Sequence, residues 1–277
     1  MIGIITKAIS DTYTVKYKSN YYDCKARGKF RNDGISPLVG DKVEFDDKEK
    51  VINKIFKRKN ELVRPPVSNI DQALIVVSVK KPNFSPNFLD KLLIITSYNN
   101  VKPIICLTKL DLLSHREKKE VKEYIKYYRK IGYKVYISKE RFKIKRIFKN
   151  KITVLAGQSG AGKSTLLNAL SKKLNLKTGE ISEALGRGKH TTRHVELFTL
   201  YKGLVADTPG FSALDFSGMS KEDVRDNIPE FEKYKTGCEY KDCSHLKEQN
   251  CKIKEMVKEG KILKSRYENY QKFVISK

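Results

Sequence analysis

Residues 157–165 read Gly-Gln-Ser-Gly-Ala-Gly-Lys-Ser-Thr, a phosphate-loop pattern, and Thr108-Lys109-Leu110-Asp111 lies upstream of them. A phosphate loop constrains a fold strongly, because it needs a strand that delivers it and a helix whose first amide groups face the anion. Both flanks are legible: Thr153-Val-Leu-Ala156 is a short apolar strand, and Lys163 to Leu174 is predicted to be helical. The Thr/Asn-Lys-x-Asp tetrapeptide that reads a nucleotide base ordinarily follows the phosphate loop. Here it precedes the loop, so one nucleotide crevice has to be assembled from a permuted chain.

The surrounding pattern supplies such a sheet. Ala73-Leu-Ile-Val-Val-Ser-Val79 is a continuous apolar run of the buried parallel-strand type. Asn87 to Asn99 is predicted as a helix, Pro103-Ile-Ile-Cys-Leu107 as a strand, Lys118 to Ile131 as a helix and Lys134 to Ser138 as a strand. Leu204-Val-Ala206 is a further strand entering Asp207. Strands alternating with helices imply a mostly parallel α/β sheet covered on both faces.

Before that, residues 1–66 read differently. Tyr13, Val15 and Tyr17 alternate with polar residues, as do Tyr22, Cys24 and Ala26, and Val43–Phe45 and Val51–Ile55 follow. About five short strands in this space suit a small barrel of the OB type, whose faces often bind oligonucleotides. Its outward residues are expected to include Lys25, Arg27, Lys29 and Arg31, with Tyr21 and Phe30 among them. A solvated, aggregation-resistant strand edge is the alternative use of those lysines. Arg64-Pro65-Pro66 marks a boundary, since consecutive prolines favour an extended linker.

Length and composition agree with this layout. A chain of 277 residues suggests two domains, or one with attachments, at about 100–200 residues per domain. No apolar run approaches the roughly 18 residues of a membrane span, and Met1-Ile-Gly-Ile-Ile-Thr-Lys7 lacks a signal-peptide pattern, so a cytoplasmic protein without a membrane partner is expected. The net charge of +25 makes a polyanion, nucleic acid above all, the expected partner. Lys, Ile, Asn and Tyr are also abundant together, as in AT-rich genomes, which leaves room for part of the lysine excess to be compositional.

Within the loop, glycines Gly157, Gly160 and Gly162 let the backbone amides of Gln158, Ser159 and Ala161 curl around phosphates, with Thr165 closing the motif. Lys163 should reach the outer phosphates and Ser164 should ligate Mg²⁺. Asp207-Thr-Pro-Gly210 follows a short strand about 50 residues later, where an acid holds Mg²⁺ through its shell and a glycine senses the γ-phosphate. Between them, Gly186 to Arg193 suits a loop that orders around Mg²⁺ and the γ-phosphate. One of Thr191 and Thr192 should complete the Mg²⁺ shell, and Thr192 is favoured. At the end of its strand, Asp111 can accept two hydrogen bonds from a guanine edge, while Lys109 covers the base with its stem. A helix cap is the structural alternative for Asp111. Ser138, at the next strand end, is a further candidate for a contact to the base.

Of five cysteines, Cys238, Cys243 and Cys251 cluster with His245 between them. Three thiolates and an imidazole form a closed tetrahedral set suited to one structural Zn²⁺ rather than to a disulfide framework. Buried free cysteines are the alternative. The following segment, Lys252 to Phe273, is predicted to be helical and basic, with Ile253, Met256, Ile262, Tyr267 and Tyr270 among its apolar positions, packing on the metal knuckle and the α/β core.

Base-reading tetrapeptide, phosphate loop, switch segment and Asp-Thr-Pro-Gly, in this order, resemble the RsgA family of circularly permuted GTPases that act on the small ribosomal subunit. The resemblance spans essentially the whole chain. It implies an all-β OB-fold RNA-binding domain over residues 1–66, a circularly permuted α/β P-loop GTPase domain over 67–216 and an α-helical zinc-knuckle domain over 217–277. The cysteine and histidine spacing is similar to the family's zinc motif. The implied function is a monomeric GTP hydrolase that binds the small subunit and its rRNA in late assembly, with GTP state controlling attachment. Gly188-Lys-His190-Thr-Thr192 is similar to the family's switch segment, whose histidine is the proposed catalytic group, so the resemblance gives His190 that role. Independently, Phe211 stands where many GTPases carry a water-orienting glutamine, and His190 is the nearest group that could do that work. Thr108 in place of the usual asparagine is expected to loosen the tie between base-reading and phosphate loops, and Gly160 in place of asparagine argues against potassium dependence. An RNA-binding module whose nucleotide site only switches, with negligible turnover, is the alternative. A phosphate-loop kinase or ATPase leaves Thr108 to Asp111 unexplained.

Overall fold

The computed structural model describes residues 1–28, 30, 34–62, 66–171, 195–207 and 215–275. Five strands open the chain: β1 (Ile2–Ile9), β2 (Thr12–Tyr17), β3 (Asn20–Ala26), β4 (Lys42–Asp46) and β5 (Val51–Ile55). Pairings β1–β2, β2–β3, β3–β5, β4–β5 and β1–β4 close them into an OB-like barrel. Closure removes open strand edges, and alternation points Ile5, Val15, Cys24, Val43, Phe45 and Ile52 inward. Phe30 corrects the sequence reading: it is buried at 6% exposure in this core rather than on the basic outer face. Tyr21, Lys25 and Arg27 do face out, whereas Lys29 and Arg31 fall outside the described residues.

A two-stranded ribbon, β6 (Glu61–Leu62) and β7 (Val67–Ser68), follows the barrel. The carboxylate of Asp41, fully buried, accepts from the Ser68 hydroxyl at 2.6 Å and from Arg58 Nε and Nη2 at 2.7 and 2.8 Å, which satisfies its charge and fastens the ribbon to the barrel.

The α/β layer comprises β8 (Gln72–Ser78), α1 (Pro86–Tyr98), β9 (Lys102–Thr108), α2 (His115–Lys130), β10 (Lys134–Ile137), α3 (Arg141–Ile147), β11 (Ile152–Ala156), α4 (Lys163–Leu170), β12 (Glu196–Leu200) and β13 (Gly203–Asp207). Strands β10, β9, β8, β11 and β13 lie in that order and run parallel. Every residue of β8 is buried, because alternate side chains serve two cores. Ala73, Ile75 and Val77 meet the cluster containing Leu89, Leu92 and Leu93 of α1, while Leu74 and Val76 meet Leu166, Leu167 and Leu170 of α4. Each such leucine contributes roughly 1.5–3 kcal/mol by leaving water.

Within the α/β layer two elements had no sequence expectation. Strand β12 returns antiparallel to β13 through Tyr201-Lys202, both at positive φ as a two-residue hairpin loop demands. Its other edge pairs with β1 at Lys7↔Glu196, with the side chains ion-paired at 3.3 Å, so barrel and α/β layer form one continuous sheet of eleven strands. The second is α3, in which only Ile144 is buried.

Beyond residue 215 come α5 (Lys221–Asp226), α6 (Pro229–Tyr234), α7 (Lys252–Lys258) and α8 (Lys264–Ile275). The single helix predicted from Lys252 to Phe273 is therefore two, broken at Gly260, whose φ of 68° leaves the helical region. Among the described residues no helix is long and apolar enough to cross a membrane.

Candidate functional site

The phosphate-loop sequence connects β11 to α4, at the carboxyl ends of the parallel strands where open α/β sheets bind ligands. Gly157 adopts φ 141°, and a Cβ there would stand 2.1 Å from the carbonyl oxygen of Val76 on neighbouring β8, so only glycine lets the loop leave the sheet this closely. Gly162, at φ 91°, is the N-cap of α4. The first amides of that helix have no intrahelical acceptor and can receive an anion. Lys163 Nζ donates to the carbonyls of Gly157 and Gln158 at 2.6 and 2.8 Å, which holds its ammonium across the mouth of the loop. Ser164 is buried beneath the loop and Thr165 is exposed; α4 ends at Leu170 with Ser171 extended, short of the predicted end.

Thr108 is the last residue of β9, one strand beyond β8, and it too lies at the carboxyl end of the sheet. Its hydroxyl donates to the Ala161 carbonyl at 2.6 Å, which overturns the expectation that threonine here loosens the link between the two loops. Lys109 turns at φ 59°, its Nζ donating to the Lys81 carbonyl, and Asp111 sits exposed in the 3-10 turn Leu110–Leu112. Asp111 does not cap the next helix: Ser114 does, in a reciprocal capping box with Glu117. Ser138 lies just past β10, its amide donating to the Leu107 carbonyl at 2.8 Å. Asp207 ends β13, whereas His190, Thr191, Thr192, Gly210 and Phe211 lie outside the described residues.

A second site lies among α5 to α8. The donor atoms of Cys238, Cys243, His245 and Cys251 all fall within 4.8 Å of one another, with His245 Nδ1 3.4 Å from Cys251 Sγ and 3.6 Å from Cys238 Sγ. Such spacing fits four ligands around one ion at metal–sulfur distances of about 2.3 Å. Burial, then the Arg225 guanidinium, pushes His245 down to about 4, so its imidazole is in the neutral form that binds metals. Burial pushes the Cys243 thiol up to about 12 and raises Cys251 also, so these thiols give up protons only to a strong Lewis acid. Aromatic residues brace the set. Tyr267 and Tyr270 hydroxyls donate to the His245 and Ser244 carbonyls at 2.6 and 2.5 Å, and the Phe231 ring packs edge-on to the imidazole at 5.3 Å.

Sequence reasoning gave no sign of the joint between the two sites. Arg266 of α8, buried at 4% exposure, donates Nη1 to Asp90 Oδ1 of α1 at 2.6 Å, and both Nε and Nη2 to the carboxylate of Glu230 in α6. Hydroxyls of Tyr128 and Tyr127 from α2 complete Asp90 and Glu230 at 2.6 and 2.9 Å. One guanidinium thus rivets four helices.

Comparison with known proteins follows this geometry from end to end. The RsgA N-terminal domain family model matches residues 2–52, and the RsgA GTPase model matches residues 55–217. The chain is 46% identical to a small ribosomal subunit biogenesis GTPase RsgA of Bacillus cereus, over 98% of this chain and 96% of the relative. It is 47% identical to the protein of the same name from Enterococcus faecalis, over 99% and 94%. Crystal structures of YloQ, described as a circularly permuted GTPase, and of YjeQ from Thermotoga maritima superpose with TM-scores of 0.85 and 0.86, at 38% and 33% identity. They cover 99% of this chain and 94% and 97% of theirs. In this chain the strand that ends at Thr108 precedes the phosphate loop in sequence yet abuts it in space, the solved relative YloQ is described as circularly permuted, and the chain belongs to the RsgA family of GTPases.

Proposed function

We propose that this GTPase acts in late assembly of the small ribosomal subunit, binding the subunit and its rRNA in the GTP state and leaving on hydrolysis. The relatives' role in small-subunit biogenesis supports this reading, as do the basic charge and the OB-like barrel. The observation that supports the nucleotide part is the Thr108–Ala161 contact, a bond between the Thr108–Asp111 segment and the loop 157–165 despite their inverted order.

In this reading residues 1–66 bind RNA, 67–216 bind and hydrolyse GTP, and 217–277 form a zinc domain, all in one cytoplasmic monomer. Asp111 selects guanine, with Thr108 and Lys109 positioning it. Backbone amides from Gly157 to Gly162 hold the phosphates, Lys163 and Thr165 close the loop on them, and Gly210 senses the γ-phosphate. Ser164 and Thr192 would hold Mg²⁺, with Asp207 behind its shell; the ion supplies positive charge against the phosphate oxygens. His190 orients the attacking water. Cys238, Cys243, His245 and Cys251 hold one structural Zn²⁺.

The test is GTP turnover with and without purified small subunits. Turnover should be slow alone, raised by subunits and suppressed by salt, since phosphate contacts release counterions. His190→Ala should lose the stimulated rate while keeping GTP and subunit affinity, because an interaction made only in the transition state leaves binding untouched. Stimulation undiminished in His190→Ala would show the histidine to be a plain loop residue. Negligible turnover even on subunits would favour a nucleotide-switched RNA-binding module instead.

A further inference from the structure

The barrel and the α/β layer enclose a cleft of about 780 Å³ at the end of the sheet opposite the phosphate loop. Ile152 and Gly203 on its wall are the first residues of β11 and β13, whereas the phosphate loop leaves the last residue of β11. Five lysines line it: Lys16, Lys18 and Lys42 from the barrel, Lys151 and Lys202 from the α/β layer. One carboxylate, Asp71, shares the lining, and it is occupied: Lys59 Nζ lies at 2.6 Å, Lys151 Nζ at 3.6 Å, and the Ile152 amide donates to it at 2.7 Å. Among the described residues, no carboxylate lies within 4.0 Å of Lys16, Lys18, Lys42 or Lys202. Positive charge gathered around one concavity from two domains, with one acid among five lysines, attracts an extended polyanion.

The walls say which polyanion. Tyr17 is half-buried with Lys18 Nζ 5.2 Å from its ring centroid, and Ile2 beside it is 49% exposed. An apolar and aromatic wall under a lysine rim suits unpaired bases, whose faces stack on rings while their phosphates meet the charges. The pattern continues out of the cleft. Beside Lys202, the Tyr201 ring lies 5.3 Å from Lys145 Nζ, which also reaches the ring of Phe142, 84% exposed on α3. A duplex keeps its bases stacked inside and could use only the charges.

We propose that this cleft is a binding site for single-stranded RNA, running from the barrel face across Lys202 toward Phe142. It rests on the RNA-binding reading above and gives that reading a place, remote from the nucleotide and shared by two domains.

Anisotropy titration of fluorescein-labelled oligouridylate of about twelve nucleotides tests this, a length within the usual single-strand site size. Lys18→Gln/Lys42→Gln/Lys202→Gln, all at exposed side chains, should weaken binding about tenfold or more at low salt and lower the salt slope by about 2, at roughly 0.7 per lost single-strand phosphate contact. Lys118→Gln/Lys119→Gln/Lys122→Gln, on the exposed face of α2, should change it less than about twofold. Tyr17→Leu should weaken binding with the slope unchanged. GTP affinity should be the same in all three. Equal losses in both lysine triples, equal affinity for duplex RNA of the same length, displacement by polyglutamate, or no binding by the wild type would each overturn the proposal. Small-subunit stimulation of GTP turnover, measured alongside, separates the two ideas: its absence sinks the assembly reading, whereas its presence with a cleft-independent oligonucleotide titration sinks only the cleft.

Discussion

The hydroxyl of Thr108 donates a 2.6 Å hydrogen bond to the carbonyl oxygen of Ala161, 53 positions later in the chain. Both groups are at the ligand end of the sheet, and Thr108 is only 5% exposed, so no water can easily replace the donor. Thr108→Val keeps the shape and leaves the carbonyl unpaired. The expected cost is about 1–2 kcal/mol, roughly tenfold in GTP affinity, with Thr108→Ser close to wild type. Calorimetric titration of GTP checks this; equal affinities in Val and Ser variants would mean that the bond does not position the phosphate loop.

Asp111 stands exposed in its 3-10 turn, available to a base edge because Ser114 has taken over the capping of α2. Exchanging its acceptor pair for the amide of Asp111→Asn should weaken GTP and relatively favour xanthosine triphosphate. Competition among GTP, XTP and ATP is the measurement. Equal wild-type affinity for ATP and GTP would remove Asp111 from base selection.

Metal uptake should carry a pH signature. With the Cys243 thiol held up near 12 by burial, binding expels protons, so affinity should fall as pH is lowered and rise as it is raised through the neutral range. Elemental analysis should find about one zinc per chain, lost in Cys243→Ser together with the protease resistance of residues beyond 217. Full resistance in metal-free Cys243→Ser would show that the fold there does not depend on the ion.

Arg266→Met should be among the most destabilising single changes, by about 3–5 kcal/mol, because it strands two buried carboxylates, Asp90 and Glu230. Adding Asp90→Asn and Glu230→Gln should restore much of that loss, since removing an entire buried charge set costs less than breaking it. Urea unfolding monitored by tyrosine fluorescence reads the difference. A triple variant no better than Arg266→Met would shift the explanation from charge to packing.

What the sequence made legible was local. The phosphate loop announces itself through glycines whose backbone geometry nothing else tolerates, and β8 through an apolar run that only a two-sided sheet can bury. The Cys/His set is legible because thiols so spaced have few other uses. Strand β1 was harder to see: it pairs with β2, β4 and β12, carries a register shift between Ile5 and Lys7, and so lacks clean alternation. Strand β12 hid because its hairpin loop, Tyr201-Lys202, uses neither Asn nor Gly at its two positive-φ positions. Phe30 was misplaced because a basic neighbourhood disguised one inward turn. The Arg266 joint was invisible in principle, as its partners lie 36 and 176 positions away and a buried charge looks like any other until the helices pack.

Lys7, Glu196 and Asp207 stand in one row across β1, β12 and β13, each opposite the next. With strands about 4.8 Å apart, the barrel backbone is roughly 10 Å from the residue that opens Asp-Thr-Pro-Gly. Glu196 comes four positions after Thr192 in the sequence, so the chain that carries His190 and Thr192 leads to the same rung. The barrel is spliced onto the strand pair that leads into Asp-Thr-Pro-Gly, so whatever grips the barrel pulls on the backbone that enters that segment.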